Sequence, residues 1–438
     1  MRKIILSIFI FSILLLGGAE AWSRTQNKAQ PATPTPTVAA PEPAAAPIPP
    51  SLTWADKFEI GWKRGLYFQT KDRKYSLKFR VRLQPQYQFQ TNHTTDSDDT
   101  NTFKIRRAKV SWEGNLFTQK LEYKLQLSVA TSNIQDLLED AYVDYRFFNP
   151  LRTQFGQFKV PYNRQMITSS GRLEFVDRSL ASEAFRFAAA DPTTTTTCNL
   201  AGGQKVTGSG ISCSGTGVTS TTTTTYKQRF YHYDTGFMLH GDVFNRKMEY
   251  YAGIFNGLGP NRLNVDGDFL YAGRVVYNAL GQYGYSESDV EFAEHPALTL
   301  GAAAGYNKQD GLNNKLVQLG GEMGFKYRGF STQGEYYFRE NGIGSGASSH
   351  DTGYYLQAGY FIIPHHLEVA ARASQVFLAA ANSNKGEFIG DINYYFKDHD
   401  FKIQLDYSWL RNDVNPAKFA GDTIKNDQRI RLQAQAWF

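Results

Sequence analysis

The sequence predicts an all-β protein, a transmembrane antiparallel β-barrel of sixteen strands with a long, inward-folded third loop. Three observations carry that expectation. From Ser76 to Gln90 the residues alternate: Ser76, Lys78, Arg80, Arg82, Gln84, Gln86, Gln88 and Gln90 hold one parity, and Leu77, Phe79, Val81, Leu83, Pro85, Tyr87 and Phe89 the other. Successive strand side chains point to opposite faces, so this segment has one oily and one wet, cationic face. It is longer than a typical soluble strand and suits a tilted strand that crosses a bilayer. The end of the chain repeats the pattern, with Ile430, Leu432, Ala434, Ala436 and Phe438 opposite Arg429, Arg431, Gln433, Gln435 and Trp437. Between these two, tight turns and long polar loops alternate, as expected of outer-membrane barrels.

Taken in order, residues 1–21 read as a secretory signal peptide. Arg2 and Lys3 precede the apolar run Ile4 to Leu16, and Ala19-Glu20-Ala21 offers a small-residue cleavage site. No later stretch approaches the roughly 18 continuous apolar residues of a spanning helix, so a membrane-spanning mature chain has to be a barrel. Residues 22–53, rich in Pro, Ala and Thr, are expected to form an extended periplasmic linker. In the lead-in, residues 54–75, Trp54 to Arg64 reads as helical or irregular, and Leu66 to Thr70 as a small hairpin arm. The barrel occupies 76–438, with strands expected at 76–90, 102–116, 121–131, 138–148, 151–159, 232–242, 248–257, 269–280, 297–307, 316–327, 330–340, 352–362, 367–376, 387–397, 401–411 and 428–438.

Two connections stand out. Residues 281–296 fall on the short-turn side yet span sixteen residues, which reads as strand extension or an elaborated turn. Residues 160–231 are far too long for a hairpin loop and are the expected constriction loop. The first part of that loop is dense, with Arg164, Arg172, Arg178 and Arg186 following Lys159. The second contains two Thr pentads and reads as a mobile extracellular insertion. It also holds the only cysteines, Cys198 and Cys213, candidates for a local disulfide in an oxidising compartment.

Tyr and Phe are abundant, at 26 and 31 residues, and the mean hydropathy of −0.44 fits strands that are half polar. A soluble secreted β-sandwich shares that profile, and it is the number of long strands that argues against one. From Ser51 to Arg186 there are 22 Lys/Arg against 15 Asp/Glu, whereas from Phe187 to Phe438 the count is 21 against 24. Cationic character is therefore concentrated in the first third of the mature chain, which fits either a solvated surface or an anion path. On the first two strands the candidates are Arg80, Arg82, Arg106, Arg107 and Lys109. In FKIRRAKVSWEG the oily parity switches between Ile105 and Ala108. A β-bulge at Arg106–Arg107 accounts for this and turns both guanidinium groups inward; the alternative is one arginine snorkelling at the interface. Asp140, Asp144 and Glu122, on polar parities nearby, would weaken anion binding.

The sequence resembles the phosphate-selective porins O and P of Gram-negative bacteria over roughly residues 65–438. The resemblance rests on GLYFQTKDRKYSLKFRVRLQ, FKIRRAKVSWEG and the DAYVDYRF…PLRTQFGQFKVPY…TSSGRLEFVDRSLASEAF run. It implies sixteen-stranded trimers whose third loop folds into the pore and whose arginines and lysines guide anions. By motif Arg82, Arg106 and Arg107 fall on the family's cationic positions, with Lys159, Arg164 and Arg178 matching more loosely. The sequence departs from the family pattern at 187–229, where the Thr/Gly/Cys insertion separates the loop from its returning strand.

The expected function is passive diffusion of small anions, phosphate or polyphosphate favoured, across the outer membrane. A general or other-solute porin is the first alternative. A barrel hydrolase built on His240 is the second, although no spaced Ser, Asp or Asn partner supports it, and a mainly structural barrel is the third. The Gly-rich stretch 341–349 is not between a strand and a helix and reads as a flexible loop. His365-His366 lies at a tight turn, and neither a metal nor a cofactor is expected. Expected partners are outer-membrane lipid, a small anionic solute, two further copies in a homotrimer, and the barrel assembly machinery through Phe438; no nucleic acid is expected.

Overall fold

The computed structural model describes residues 57–438 except 94–96, 132, 200–203, 215–217, 265–266, 310–313, 343–347, 380–382 and 414–423. The expected signal peptide and linker, and most of the Gly-rich 341–349 stretch, lie outside the described residues.

The chain runs β1 Phe58–Trp62, β2 Leu66–Thr70, β3 Ser76–Gln90, β4 Thr100–Asn115, β5 Leu121–Ser128, β6 Leu138–Phe148, β7 Leu151–Lys159, then α1 Arg164–Ile167 and α2 Leu180–Ala184. It continues through β8 Phe187–Asn199, β9 Lys205–Gly208, β10 Thr219–Tyr231, β11 Tyr233–Val243, β12 Met248–Phe255, β13 Leu270–Leu280, β14 Ala297–Gln309, β15 Asn314–Tyr327 and β16 Phe330–Asn341. The last strands are β17 Ser349–Ile363, β18 Leu367–Leu378, β19 Ser383–Lys397, β20 Phe401–Asp413 and β21 Ile424–Trp437. Strands β3–β7 and β11–β21 pair antiparallel with their neighbours in chain order across sixteen positions. β7 joins β11 through Lys159↔Tyr233, and β21 closes on β3 through Arg431↔Gln88. Closure leaves no free edge, which is what a sheet in hydrocarbon requires.

The alternation of the sequence becomes an inside-out distribution of burial. Arg431 is 1% exposed and Gln433 is 0%, whereas Phe438 and Ile392, on the other parity of their strands, are 46% and 50% exposed. Most apolar strand side chains face outward and most polar ones inward, where many hydrogen-bond one another around a buried apolar cluster that includes Phe158, Tyr162, Phe185 and Tyr337.

Four local readings need correction or sharpening. Phe58–Trp62, inside the stretch expected to be helical or irregular, is a strand paired with β2, and β2 in turn pairs with the start of β3. Pairing with β2 satisfies one side of its backbone, and FEIGW alternates too briefly to be noticed. The Thr-rich insertion, expected as a loop, forms a three-stranded sheet. The two pentads pair with each other, from Thr193↔Thr225 to Thr197↔Thr221, with β9 on the far side of β8. Cross-strand β-branched pairs stabilise such a ladder, and a disulfide joins Cys198 to Cys213. On β4 the register passes from Gln84↔Arg107 to Pro85↔Ile105, so Arg106 is the extra residue of a bulge. Residues 281–296, finally, do not lengthen a strand but turn into the barrel, where Tyr283, Glu287, Ser288, Asp289 and Val290 are buried.

Candidate functional site

Residues 160–187 lie against inward-facing side chains on strands far apart in the barrel. α1 begins at the N-cap Asn163, whose side chain accepts a bond from the Met166 amide. The Glu335 carboxylate of β16 accepts the Arg164 and Gln165 amides at 2.8 and 2.9 Å, meeting the positive end of the helix. α2 is capped by Ser179 and held by Ser374 of β18, which accepts the Ala181 amide at 2.9 Å. Arg339 of β16 donates to the Ala184 carbonyl at 3.0 Å. Between the helices the Glu174 carboxylate accepts from Ser331 at 3.1 Å and from Gln357 at 2.8 Å. Gly359 permits this approach, because a Cβ there would overlap the Glu174 carboxylate.

On the β15–β21 side the luminal arginines are bound to carboxylates, while Lys326 and Lys402 donate to the Ser286 and Leu173 carbonyls at 2.7 and 2.6 Å. Glu322 binds Arg164 at 2.9 Å and Arg274 at 2.7 Å. Glu387 binds Arg372 at 3.2 Å and Arg429 at 3.0 Å. Asp177 of the loop receives Arg106 at 2.9 Å, Arg107 at 2.5 Å and Arg431 at 2.7 Å, while Arg431 also reaches Asp406 at 2.5 Å. Burial pushes the Asp177 carboxyl up, but Arg107, Arg431 and Arg106 outweigh it and hold it below the usual carboxylate range.

On the opposite side, between loop residues Pro161–Ser170 and strands β3–β7, β11 and β12, lies a cavity of about 390 Å³. Five basic side chains line it, Arg82, Lys109, Lys124, Arg152 and Lys159, against the three carboxylates Glu122, Asp140 and Asp144. Lys109 pairs with Glu139, Lys124 with Asp140 at 2.7 Å, and Arg152 with Glu122 and Asp144 at 2.7 and 3.1 Å. His240 also reaches Asp144, at 3.0 Å.

Arg82, Lys159 and Arg178 are held differently. The Arg82 guanidinium donates to the Ser169 and Ser170 hydroxyls at 2.9 and 2.8 Å and lies 5.1 Å from the centre of a Trp437 ring. Lys159 Nζ donates to the Met166, Ile167 and Thr168 carbonyls at 2.6, 3.2 and 3.1 Å. Arg178 joins the same turn, donating to the Gln165 and Thr168 carbonyls at 2.9 Å each. These are the free carbonyls at the C-terminal end of α1, a natural seat for cations. Among the described residues, none of the three has a carboxylate within ion-pair distance. Carbonyls and hydroxyls, and no carboxylate, fix these side chains in place.

The remaining expected site residues are distributed as follows. Arg80 pairs with Glu113 at 2.7 Å and lies 4.9 Å from the Trp437 ring. Arg172 lies with Arg80, Arg64 and His399 around a small cleft at the short-turn end. Arg164 is 1% exposed, committed to Glu322 and to the Gly284 carbonyl at 2.9 Å, and does not line the cavity. Lys124 and Arg152 were missed by the sequence reading. The signal for them was present, since each shares a luminal parity with the carboxylates already singled out.

The chain is matched over residues 78–438 by the model of the family described as phosphate-selective porin O and P. Porin O of Pseudomonas aeruginosa is 30% identical over 127 residues, which is 28% of this chain and 29% of that protein; the chain thus spans under a third of this relative. The anion-selective porin from Comamonas acidovorans superposes with a TM-score of 0.55 at 13% identity, covering 83% of this chain and 100% of that one. OmpF of Salmonella typhi, solved with daunomycin, gives 0.52 at 10% identity over 87% of this chain and 100% of the other. At such identities these two structures speak for the fold alone.

Proposed function

The chain belongs to the phosphate-selective porin O and P family, and on that premise we propose that this outer-membrane porin passes small anions by passive diffusion, with phosphate or polyphosphate favoured, along an Arg/Lys-lined path beside β3–β7. The observation that carries the reading is the trio Arg82, Lys159 and Arg178, whose charges are held by hydroxyls and carbonyls and not by carboxylates. A unit positive charge about 4 Å from an anion attracts it by about 4 kcal/mol at an effective dielectric near 20. One such site would hold an anion, and a file of weaker sites passes it on. The carboxylates Asp140, Asp144 and Glu122 in the same cavity supply that weakening. Arginine suits phosphate through its planar fork, which favours phosphate over chloride at Arg82.

In this reading the loop 160–187 forms the constriction, the chain assembles as a homotrimer, and the Pro/Ala/Thr-rich segment 22–53 stays in the periplasm after removal of residues 1–21. Phe438 is offered to the assembly machinery. Planar-bilayer recording tests the anion path. The wild type should pass chloride well ahead of potassium, and phosphate should inhibit the chloride current. Equal permeability to the two ions would overturn it in favour of a general porin.

A further inference from the structure

We infer that the turn 281–296 is a positioning element. It enters the barrel from the short-turn end, seats the loop against β15–β20, and so keeps that half of the lumen closed and confines solute to the cavity beside β3–β7. Every other connection at that end has five residues or fewer, so sixteen residues here exceed what joining β13 to β14 requires.

Its contacts show what the extra length does. The Glu287 carboxylate, 1% exposed, accepts the Glu174 amide at 2.8 Å and the Gln165 side chain at 3.0 Å, both from the loop. It accepts a third bond, from Gln357 of β17, at 3.2 Å. The Glu287 amide donates to the Arg172 carbonyl at 3.1 Å. One residue of the turn thus joins the loop backbone, a loop side chain and the wall. Ser288 fixes the turn itself, donating to Glu368 of β18 at 2.9 Å.

Two segments from opposite ends of the barrel therefore meet inside it, and each supplies partners the other needs. Without Glu287, the buried Glu174 amide loses its acceptor and the Gln165 side chain keeps only Gln357, at 3.2 Å, a cost that favours withdrawal of the loop from this wall. Apart from its bridged pairs, the wall behind them carries Glu335, Glu368 and Asp391 against Lys326 and Lys402, all buried. A path opened there would hold more acids than bases, unlike the one beside β3–β7.

Two variants of the full chain, each verified as a folded barrel by its heat-modifiable migration, test this in planar bilayers. One replaces residues 282–295 with a two-residue turn, and the other is Glu287→Ala. A second path in parallel should raise single-channel conductance roughly two-fold in the shortened variant, with a smaller, flickering increase in Glu287→Ala. In both, the reversal potential should move toward that of a cation-permeable pore. Wild-type conductance in each folded variant would overturn the inference, and Glu287→Ala alone decides it if the shortened chain does not assemble. The inference rests on the barrel conducting, not on its preferring anions: variant conductance reads the first, and the wild-type reversal potential reads the second.

Discussion

The two sides of the lumen hold the same kinds of cation in different company. Beside β15–β21, Glu322, Glu387 and Asp177 each bridge two or more guanidinium groups, and the space is filled by loop and turn. Beside β3–β7, Arg82 and Lys159 rest on hydroxyls and carbonyls next to open space, with the buried Arg178 on the same turn behind them. The difference teaches that counting arginines does not locate an anion path. A carboxylate-bridged arginine is a structural tie whose field is largely spent on its partner, whereas an arginine or lysine held by dipoles keeps its charge for a passing solute.

The sharpest way to break the contrast is to turn a tie into a liability. Glu322→Ala leaves Arg164 and Arg274 buried without their shared carboxylate, and is expected to cost about 3–5 kcal/mol, read as a lowered unfolding midpoint in urea and as protease cleavage within 160–187. On the other side, Lys159→Met leaves the Met166 and Thr168 carbonyls to Arg178 and should cost less stability than Glu322→Ala. It should cut chloride-over-potassium selectivity by about 18-fold, since one charge at about 10 Å contributes close to 1.7 kcal/mol at an effective dielectric near 20. Reversal potentials across a KCl gradient measure this. Asp177→Asn sharpens the comparison from the opposite direction. It frees Arg106 and Arg107 from their carboxylate and leaves Arg431 to Asp406, so anion selectivity and inhibition of the chloride current by phosphate should both rise severalfold, at a stability cost below that of Glu322→Ala because the asparagine oxygen still accepts from Arg107.

A smaller effect is expected from pH. Burial first, then the neighbouring Glu368 and Glu287, push the Glu174 carboxyl well above the usual carboxylate range. Ser331 and Gln357 bond to it, and Lys402 lies beyond at the Leu173 carbonyl. With its folded value raised, Glu174 stabilises the seat fully below the usual carboxylate range, and that contribution is lost as pH rises through the raised value. Asp177 runs the other way: its depressed carboxyl keeps the arginine ties intact at neutral pH and loses them only below the usual range. Alkaline recordings should therefore become noisy before acidic ones do. The smallest change expected is in Cys198→Ser/Cys213→Ser, where conductance should equal that of the wild type while proteolysis of β8–β10 speeds up.

The parts of the molecule legible in the sequence are those where side-chain period alone decides. Ser76–Gln90 and the last strand are read from alternation, and the bulge at Arg106 from the switch of oily parity between Ile105 and Ala108. The illegible parts depend on partners remote in sequence. Arg164 and Lys159 look alike in the chain, yet one meets Glu322 of β15 and the other meets carbonyls a few residues on. The inward course of 281–296 draws on Arg274 and Glu249 nearby, through Tyr285, but mainly on the loop and on β17 and β18, at least seventy residues away along the chain. Strand pairing of the Thr pentads was written in the sequence as two equal β-branched runs, and was masked by the Gly- and Ser-rich stretch between them.

Those pentads carry one more consequence. A ladder whose rungs are all threonine has no preferred alignment of its own, since a slip by one or two positions sets the same side chains opposite each other. Its setting must come from its ends: Phe187 and Tyr231, both buried where the hairpin leaves the barrel, and the Cys198–Cys213 link near the tip. The disulfide then serves as a ruler as much as a clasp. A reduced protein would keep its hairpin but present several interchangeable lengths of it to the outside.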